Sequence, residues 1–287
     1  MCGFVGFINK NNSYSYTNCI SDLEKMGKAI QHRGPDYSGS YIKDNIFLWH
    51  NRLSIQDLSK NGNQPMLTED GKEIILFNGE IYNHFELRKK INSKYQYNWK
   101  SSSDTETLLI FIHYFGMELA LSKISGMFSI VYLNLLENKI YLVRDRFGEK
   151  PLYFSITNKN FFFSSDIRSF NFEKRKLNKS GIKSFFANNC FSYPDTIWEN
   201  VNRISPGSYI KFKVNFENNT VTNPKSYNYW EPNSYNIISK DSLEEATNKL
   251  DFILCDVIEK QINADVEVGS FLSGGVDSSL ITSIAQK

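Results

Sequence analysis

The chain has 287 residues, of which 41% are hydrophobic and 22% charged, and its 33 basic against 31 acidic side chains leave a formal net charge of +2. Because domains commonly contain about 100–200 residues, this length predicts two units. The near-neutral charge, without a long run of like charges, argues against a nucleic-acid partner.

The sequence contains no segment typical of a membrane span or of a secretory signal. The longest apolar runs, such as 74–77 and 128–132, fall far short of the roughly 20 residues that a membrane span needs. The amino-terminal segment MCGFVGFINK lacks a basic start and a small-residue cleavage site. We therefore expect a cytoplasmic protein without a membrane partner.

The first predicted elements are a strand, a helix and two further strands. Segment 2–8 alternates small and apolar residues like a buried strand. The Ser-x-x-Glu spacing at 21–24 predicts a capping box and a helix that ends at Gly34. Segments 40–50 and 72–82 are typical of strands, and polar turn residues separate them.

A second Ser-x-x-Glu, at 103–106, predicts the start of a helix with one apolar face. Five short segments rich in β-branched or aromatic residues accompany it, and their close spacing predicts antiparallel hairpins. They are 127–134, 139–145, 151–156, 160–165 and 208–214. These elements together predict an α+β layered domain over residues 1–213.

A change of composition marks the second unit. Residues 214–240 are rich in Asn, Ser and Pro and lack periodicity, so we interpret them as a linker. Residues 241–287 are predicted to form a long amphipathic helix, a strand at 266–272, a glycine-containing loop and another helix. We expect the apolar face of the helix 241–262 to be exposed, and so to attract partners or cause aggregation.

The four cysteines lie at scattered positions without a Cys-x-x-Cys pair, which favours neither a zinc site nor a disulfide framework. They are Cys2, Cys19, Cys190 and Cys255. We interpret the last three as small hydrophobic residues. Cys2 differs because removal of Met1 would place its thiol and a free α-amine on one residue. Since an α-amine has a pKa of about 7.7–8.0, it can accept the thiol proton, and Cys2 is a candidate nucleophile with its own base.

Five motifs place this cysteine in a family context. The chain opens with MCGFVGF, followed by HRGPD at 32–36, HNRLSIQD at 50–57, FNGEIYN at 77–83 and SDTE at 103–106. In order and spacing this set resembles the class II glutamine amidotransferases of the N-terminal nucleophile type, and in particular the glutaminase half of glutamine-dependent asparagine synthetases. The resemblance implies a four-layer αββα sandwich of two antiparallel sheets between helices.

The resemblance also implies roles for individual residues. Cys2 attacks the glutamine amide, while the Asn78 side chain and the Gly79 backbone N–H form the oxyanion hole. Arg52 binds the α-carboxylate of glutamine and Asp104 binds its α-ammonium group. The same pocket includes Leu53, Ser54, Ile55, Gln56 and Glu80.

Each of these residues has a simpler interpretation outside the family pattern. Asn78-Gly79 is also typical of a type I′ turn, Asp104 of a helix cap and Arg52 of a surface ion pair. The family usually has His, Arg or Glu at the position of Asn51. This difference affects only a flanking residue, and Arg52 still aligns with the arginine of the family motif. We expect no metal in this domain because the histidines are scattered, and we expect His32 and His50 to support the pocket.

The segment SFLSGGVDSS, at 270–279, carries a second signature between a predicted strand and a helix. Such a loop gathers backbone N–H groups at a helix N-terminus and favours an anion, but no Lys follows its glycines as in a Walker P-loop. It resembles the PP-loop of ATP pyrophosphatases, which implies ATP as cofactor and Mg²⁺ assisted by Asp277. The predicted ATP-binding residues are Leu272, Ser273, Gly274, Gly275, Asp277 and Ser278.

Together the resemblances imply that ammonia from glutamine amidates an ATP-activated carboxylate, by default aspartate to asparagine, with release of AMP and pyrophosphate. Because only about 45 residues of the second unit are present, too few for a core, we expect this chain alone to hydrolyse glutamine without making asparagine.

Several alternatives stay open. The acceptor could be a sugar acid or a peptide carboxylate, and a homodimer is not excluded. The chain could also be a truncated, non-synthetic fragment. Glucosamine-phosphate and phosphoribosylamine synthases are less compatible, because they do not carry SGGVDSS.

Overall fold

The computed structural model describes residues 2–10, 15–172, 175–215, 220–222, 224–232 and 239–287. Met1, whose removal is predicted, and parts of the predicted linker lie outside these residues. The helices are α1 (Tyr16–Ala29), α2 (His84–Asn92), α3 (Asp104–Phe115), α4 (Met117–Lys123), α5 (Lys179–Asn188), α6 (Leu243–Gln261) and α7 (Val276–Ala285). The strands are β1 (Gly3–Asn9), β2 (Tyr37–Lys43), β3 (Ile46–Arg52), β4 (Met66–Leu67), β5 (Glu73–Ile81), β6 (Gly126–Asn134), β7 (Lys139–Arg144), β8 (Tyr153–Ile156), β9 (Asn160–Ser164), β10 (Asn202–Arg203), β11 (Ser208–Asn215), β12 (Thr220–Val221) and β13 (Lys225–Asn228).

The strands form two sheets with antiparallel neighbours. The first has the order β10-β8-β9-β1-β3-β2, and the second has the order β12-β11-β7-β6-β5-β4, with β13 also paired to β11. In the first sheet β1 lies between β3 and β9, where Phe4 pairs with His50 and Gly6 with Phe163. The segments predicted as hairpin strands after residue 126 are therefore confirmed as antiparallel.

Side chains alternate between the two faces of each central strand, and both faces are buried. On β1, Phe4 and Ile8 face the second sheet, whereas Val5 and Phe7 face α1. The second sheet repeats this pattern, since residues 74 and 76 of β5 face the first sheet and residues 75 and 77 face helices. Burial on both faces explains why these strands consist of nearly continuous apolar residues.

Helices cover the outer face of each sheet. Cys19, Leu23 and Met26 of α1 pack against the first sheet, and apolar residues of α2, α3 and α4 pack against the second. Each fully buried large apolar side chain stabilises such a core by about 1.5–3 kcal/mol relative to exposure. The order helix, sheet, sheet, helix confirms the predicted four-layer αββα sandwich.

Three predictions about individual helices and strands are wrong. Helix α1 begins at Tyr16, because the Ser15 hydroxyl accepts from the Asn18 N–H and caps it six residues before Ser21, and the helix ends at Ala29 rather than at Gly34. Segment 40–50 contains a hairpin, because Asp44 has a φ of 52° and turns the chain between β2 and β3. Segment 266–272 forms no strand in the structure, where no neighbouring strand pairs with it.

Other predicted elements are present. Ser103 caps α3, and its hydroxyl accepts from the Glu106 N–H at 3.3 Å. Helices α6 and α7 follow as expected, and α6 begins with a complete capping box between Ser242 and Glu245. Within the segment interpreted as a linker, β12 and β13 both pair with β11.

Helices α6 and α7 are exposed along most of their length, as expected for the apolar face of α6. Leu250, Phe252 and Ile253 of α6 are 54%, 75% and 55% exposed. In α6 and α7 the only buried residues are Ile258 and Ile284. None of the helices in the described ranges is long and apolar enough to cross a membrane.

The packing of Gly6 against the two neighbouring strands of its own sheet predicts the effect of a methyl group at this position. A Cβ there would lie 2.6 Å from the Phe163 ring and 2.8 Å from Leu48. We expect Gly6→Ala to lower the free energy of unfolding by about 1–3 kcal/mol, because the core must shift. Urea unfolding measures this change. Gly269→Ala is the matched control because nothing lies within 4 Å of that site, and equal stability of the two variants would contradict the packing argument.

Candidate active site

Alternation along three strands brings the predicted catalytic side chains into the gap between the sheets. Residues 46 and 48 of β3 and residues 74 and 76 of β5 face this gap. By the period of two, Arg52 at the end of β3 and Asn78 in β5 point the same way. Cys2 immediately precedes β1, and Gly3 pairs with Asn51. Cys2, Arg52 and Asn78 therefore line one pocket, as the motifs predicted.

The thiol of Cys2 lies against the backbone of Leu53. Its Sγ is 3.6 Å from Leu53 O and 3.4 Å from Leu53 N. Burial raises the pKa of the Cys2 thiol, while the Leu53 N–H opposes that shift. The thiol is thus largely neutral at neutral pH, and a base has to remove its proton before it can act as a nucleophile.

Asn78 is buried without a hydrogen-bond partner for its side chain. It is 0% exposed, and neither Oδ1 nor Nδ2 has a hydrogen-bond partner among the residues that the structure describes. An unpaired buried amide is unfavourable by about 1–3 kcal/mol, so it is commonly matched by a ligand or water. The Asn78 amide is therefore available to a molecule that enters the pocket.

Gly79 lies in the interior of β5 and does not form a turn, which excludes the type I′ alternative. It pairs with Phe128 of β6. A Cβ at Gly79 would lie 2.0 Å from the carbonyl oxygen of Met127, and its φ of 157° is one that side chains rarely adopt. The structure requires glycine at this position because the backbone of β6 passes so close.

A hydrogen bond between the sheets holds β5 next to the site. His50 is fully buried in β3, and its Nε2 lies 3.2 Å from the carbonyl oxygen of Phe77. Burial lowers the pKa of His50 to about 4, so the ring is neutral and Nε2 must carry the proton donated to Phe77. The Phe77 N–H donates to Gln64 Oε1 at 2.7 Å. These bonds fix the residue that precedes Asn78, which agrees with the supporting role expected for His50.

His32 lies elsewhere. It is about half exposed, and its Nε2 lies 3.9 Å from Asp166 Oδ2. His32 does not line the pocket. The structure therefore gives no support to the supporting role expected for this residue.

Two carboxylates meet at the opposite wall of the pocket. Asp104, the first residue of α3, is 5% exposed and accepts from the Ile81 N–H at 2.9 Å. Burial, with a smaller contribution from Glu80, raises the pKa of Asp104 to about 7. Burial also raises the pKa of Glu80, against the opposing effect of Lys150. A cation bound between these carboxylates would be favourable because it relieves their mutual repulsion.

Arg52 lines the pocket but also holds the following loop. Its Nη1 donates to Ser59 O at 2.7 Å and to Asn63 Oδ1 at 2.9 Å. Its Nη2 donates to the carbonyl oxygens of Gln56, at 3.1 Å, and Asp57. Arg52 is therefore not a surface residue. To form two hydrogen bonds to a carboxylate, its guanidinium group would have to release some of its bonds to the loop.

The structure brings together all but one of the predicted pocket residues. Ser54 does not line the pocket, and its N–H donates to Asp36 Oδ2 at 2.7 Å. The sequence interpretation missed several lining residues: Gly62, Gln64, Phe77, Ser103, Thr105, Met127 and Lys150. Of these, Lys150 lies in none of the motifs on which the family resemblance rests. Its side chain is almost completely buried, which is uncommon for lysine and which no local pattern indicated.

The predicted nucleotide loop is exposed and lies at the start of α7. Gly274 has a φ of 82°, and no side chain caps the helix N-terminus. The hydroxyls of Ser273 and Ser278 lie 2.9 Å apart beside the first turn. Free N–H groups and hydroxyls at a helix N-terminus fit a phosphate group. Among the described residues, no group of three or more His, Cys, Asp or Glu side chains is arranged to hold a metal.

Comparisons with known proteins agree with this geometry. A family model described as a glutamine amidotransferase domain matches residues 1–230, and one described as asparagine synthase matches residues 249–287. The chain is similar to asparagine synthetase (glutamine-hydrolyzing) 1 of Bacillus subtilis, with 32% identity over 100% of this chain and 44% of that protein. It is also similar to a putative asparagine synthetase (glutamine-hydrolyzing) 2 of Methanocaldococcus jannaschii, with 31% identity over 100% of this chain and 57% of that protein. The chain thus spans about half the length of the curated relatives it matches.

A solved structure supports the fold. The glutamine phosphoribosylpyrophosphate amidotransferase of B. subtilis matches with a TM-score of 0.57 and 14% identity, over 99% of this chain and 64% of that chain. At this identity the likeness concerns the fold alone. It agrees with the assignment of two stacked antiparallel sheets between helices.

The raised pKa of Asp104 predicts how stability depends on pH. With a folded-state pKa of about 7, above the ordinary 3.8, the folded protein retains a proton that the unfolded chain releases. This contribution to stability is complete below about pH 4 and is lost as the pH rises through about 7. We expect Asp104→Asn to remove this loss, so that its stability relative to wild type increases over that range. Urea unfolding at several pH values measures it, with exposed Asp70→Asn as control. Parallel curves for Asp104→Asn and wild type would contradict the raised pKa.

Proposed function

Because the chain belongs to the glutamine amidotransferase family, we propose that it hydrolyses the side-chain amide of glutamine at Cys2. The observation that carries this proposal is the buried, unpartnered amide of Asn78 in the same pocket as the Cys2 thiol. Such an arrangement suits a reaction in which a thiol attacks a carbonyl and the oxygen becomes negative. Hydrolysis then yields glutamate and ammonia.

The proposed mechanism uses the two functional groups of one residue. After removal of Met1, the α-amine of Cys2 takes the proton from Sγ, and Sγ forms a bond to the amide carbon. The Asn78 Nδ2–H and the Gly79 N–H donate to the resulting oxyanion. The ammonium form of the α-amine returns the proton to the leaving nitrogen, so that ammonia departs and a thioester remains. Water attacks the thioester, aided by the same amine, and releases glutamate.

Charge in the pocket supports free glutamine as the substrate. Its α-ammonium group would lie between Asp104 and Glu80, whose pKa values are raised by burial, so that a bound cation would favour their ionised forms. Arg52 supplies positive charge for the α-carboxylate, and Leu53, Ile55 and Gln56 form the adjoining wall. A peptide-bound glutamine has neither free group, so these residues favour the free amino acid.

We further propose that the ammonia serves amide synthesis in a reaction that consumes ATP. The match of residues 249–287 to an asparagine synthase model and the names of the relatives support this proposal. By the same likeness Asp277 assists Mg²⁺, and the residues proposed to contact ATP are Leu272, Ser273, Gly274, Gly275, Asp277 and Ser278. Aspartate is the proposed acceptor. A sugar acid or a peptide carboxylate remains the alternative, because none of the described residues is assigned to acceptor binding.

Synthesis can be tested separately from hydrolysis. Ammonium chloride replaces glutamine in a reaction with aspartate, ATP and Mg²⁺, and AMP and asparagine are measured. Because only about 45 residues of the second unit are present, we expect neither product from this chain, although it hydrolyses glutamine. Formation of AMP and asparagine by wild type and by Cys2→Ala protein would contradict this expectation and would assign synthesis to this chain itself.

We also propose a reducing, cytoplasmic setting. All four cysteines are free thiols in the structure. A nucleophilic thiol that must stay reduced is suited to such a compartment.

Substitution of the nucleophile is the direct test of hydrolysis. We expect Cys2→Ala to reduce ammonia release from glutamine by at least about a thousandfold, because no other thiol or hydroxyl occupies its position. Cys190→Ala is the matched control, since that cysteine is exposed, and it should retain full activity. Mass spectrometry of active protein should find Met1 removed. Full turnover by Cys2→Ala, or by protein that retains Met1, would contradict the mechanism.

Removal of the unpartnered amide tests the oxyanion hole. We expect Asn78→Ala to lower kcat by about 10²–10³ with a smaller change in KM, because the bond forms mainly in the transition state. Steady-state release of glutamate measures both constants. Exposed Asn18→Ala serves as control, and a change in KM without a change in kcat would assign Asn78 to substrate binding instead.

A further inference from the structure

We propose that Asp265 is a positioning residue for the glutamine pocket, although it belongs to the second unit. The inference rests on the proposed glutaminase function. Asp265 follows α6 and lies outside residues 1–230, which match the amidotransferase domain. It holds the loop formed by residues 55–57, which is one wall of the pocket.

Asp265 makes a pair of reciprocal hydrogen bonds to this loop. Its backbone N–H donates to Ile55 O at 2.9 Å. Its carboxylate oxygen Oδ2 accepts from the Asp57 N–H at 2.7 Å. A third contact runs from Gln56 Nε2 to Asn263 O at 3.5 Å. The second unit thus contacts three successive residues of the loop, through atoms other than the carbonyl oxygens that Arg52 holds.

The loop is fixed between Asp265 and Arg52. Asp265 engages Ile55 O and the Asp57 N–H, and Arg52 donates to the carbonyl oxygens of Gln56 and Asp57. Asp57 has a φ of 53°, a conformation that is unfavourable for most side chains and needs support from its surroundings. Removal of one support should therefore let this short segment relax.

Relaxation of the loop would change the pocket, because residues of the loop line it. Ile55 and Gln56 line the pocket. Leu53, two residues earlier, contacts the Cys2 sulfur through both its N–H and its carbonyl oxygen. The position of residues 55–57 therefore affects the wall that contacts substrate and, less directly, the orientation of the thiol.

The contact between the two units is small, so the hydrogen bonds of Asp265 form a large part of it. Most of α6 is exposed, and only its C-terminal end approaches the first unit, where Lys260 Nζ lies 3.6 Å from Glu86 Oε1. A surface ion pair of this kind contributes little. The bonds at Asp265 are thus the main polar connection between the described part of the second unit and the pocket. Residues 266–275 lead from there to the predicted nucleotide loop.

Two substitutions at Asp265 test the proposal in the full chain. We expect Asp265→Ala to raise the KM for glutamine about threefold to tenfold with kcat within about twofold, because a partly exposed hydrogen bond to a charged acceptor is lost. Asp265→Asn retains a side-chain oxygen as acceptor and should stay within about twofold of wild type. Asp251→Asn is the matched control, because Asp251 is an exposed residue of α6.

Amide hydrogen exchange of the peptide that contains residues 54–58 provides a readout independent of activity. Exchange should be faster in Asp265→Ala than in wild type and Asp265→Asn, because the Asp57 N–H loses its acceptor. Unchanged KM and exchange in Asp265→Ala would overturn the proposal, as would equal effects of the Ala and Asn variants. If wild-type protein hydrolyses no glutamine, the proposed function fails, and the exchange measurement still decides whether Asp265 holds the loop.

Discussion

The active site depends on the close contact of two antiparallel sheets whose strands are buried on both faces. Alternation fills the gap between the sheets with apolar side chains along most of each strand. At one end the same alternation directs Cys2, Arg52 and Asn78 into that gap. The bond from His50 to Phe77 O then links the sheets beside these residues. The geometry of the proposed catalytic residues is therefore a consequence of sheet packing, which rigid strands maintain more closely than loops could.

The pocket retains polar groups that folding alone does not satisfy. The Asn78 amide has no hydrogen-bond partner among the described residues, and burial raises the pKa of both Asp104 and Glu80, with Glu80 adding to the shift at Asp104. Each feature is unfavourable in the folded protein by itself. In the proposed reaction a ligand supplies the missing group, an oxyanion in one case and an ammonium group in the other. These features are the basis for proposing an amino acid with a side-chain carbonyl as the substrate.

Arg52 illustrates how one side chain serves structure and charge together. Its guanidinium group donates to the loop at residues 56–63 from within the pocket. The positive charge stays in the site while its geometry orders the wall. The loop receives its outer support from Asp265, which is far away in sequence. Two units that differ in fold therefore share one segment, and the pocket is not the property of the first unit alone.

The sequence by itself determined an α+β domain and the helices α3, α6 and α7, because hydrophobic periodicity and local capping chemistry are encoded in short segments. The αββα sandwich and the set of residues that line one pocket followed from the resemblance of its motifs to a family. The tertiary structure decided those features that depend on contacts between residues far apart in sequence. Segment 266–272 has strand-like residues but no neighbouring strand, and the chain turns at Asp44 where a single strand was expected. Burial of Lys150, the loop contacts of Arg52 and the placement of Asp265 beside Ile55 arise only when separate segments pack together. No local pattern specifies such contacts, because their energy exists only after folding brings the partners into reach.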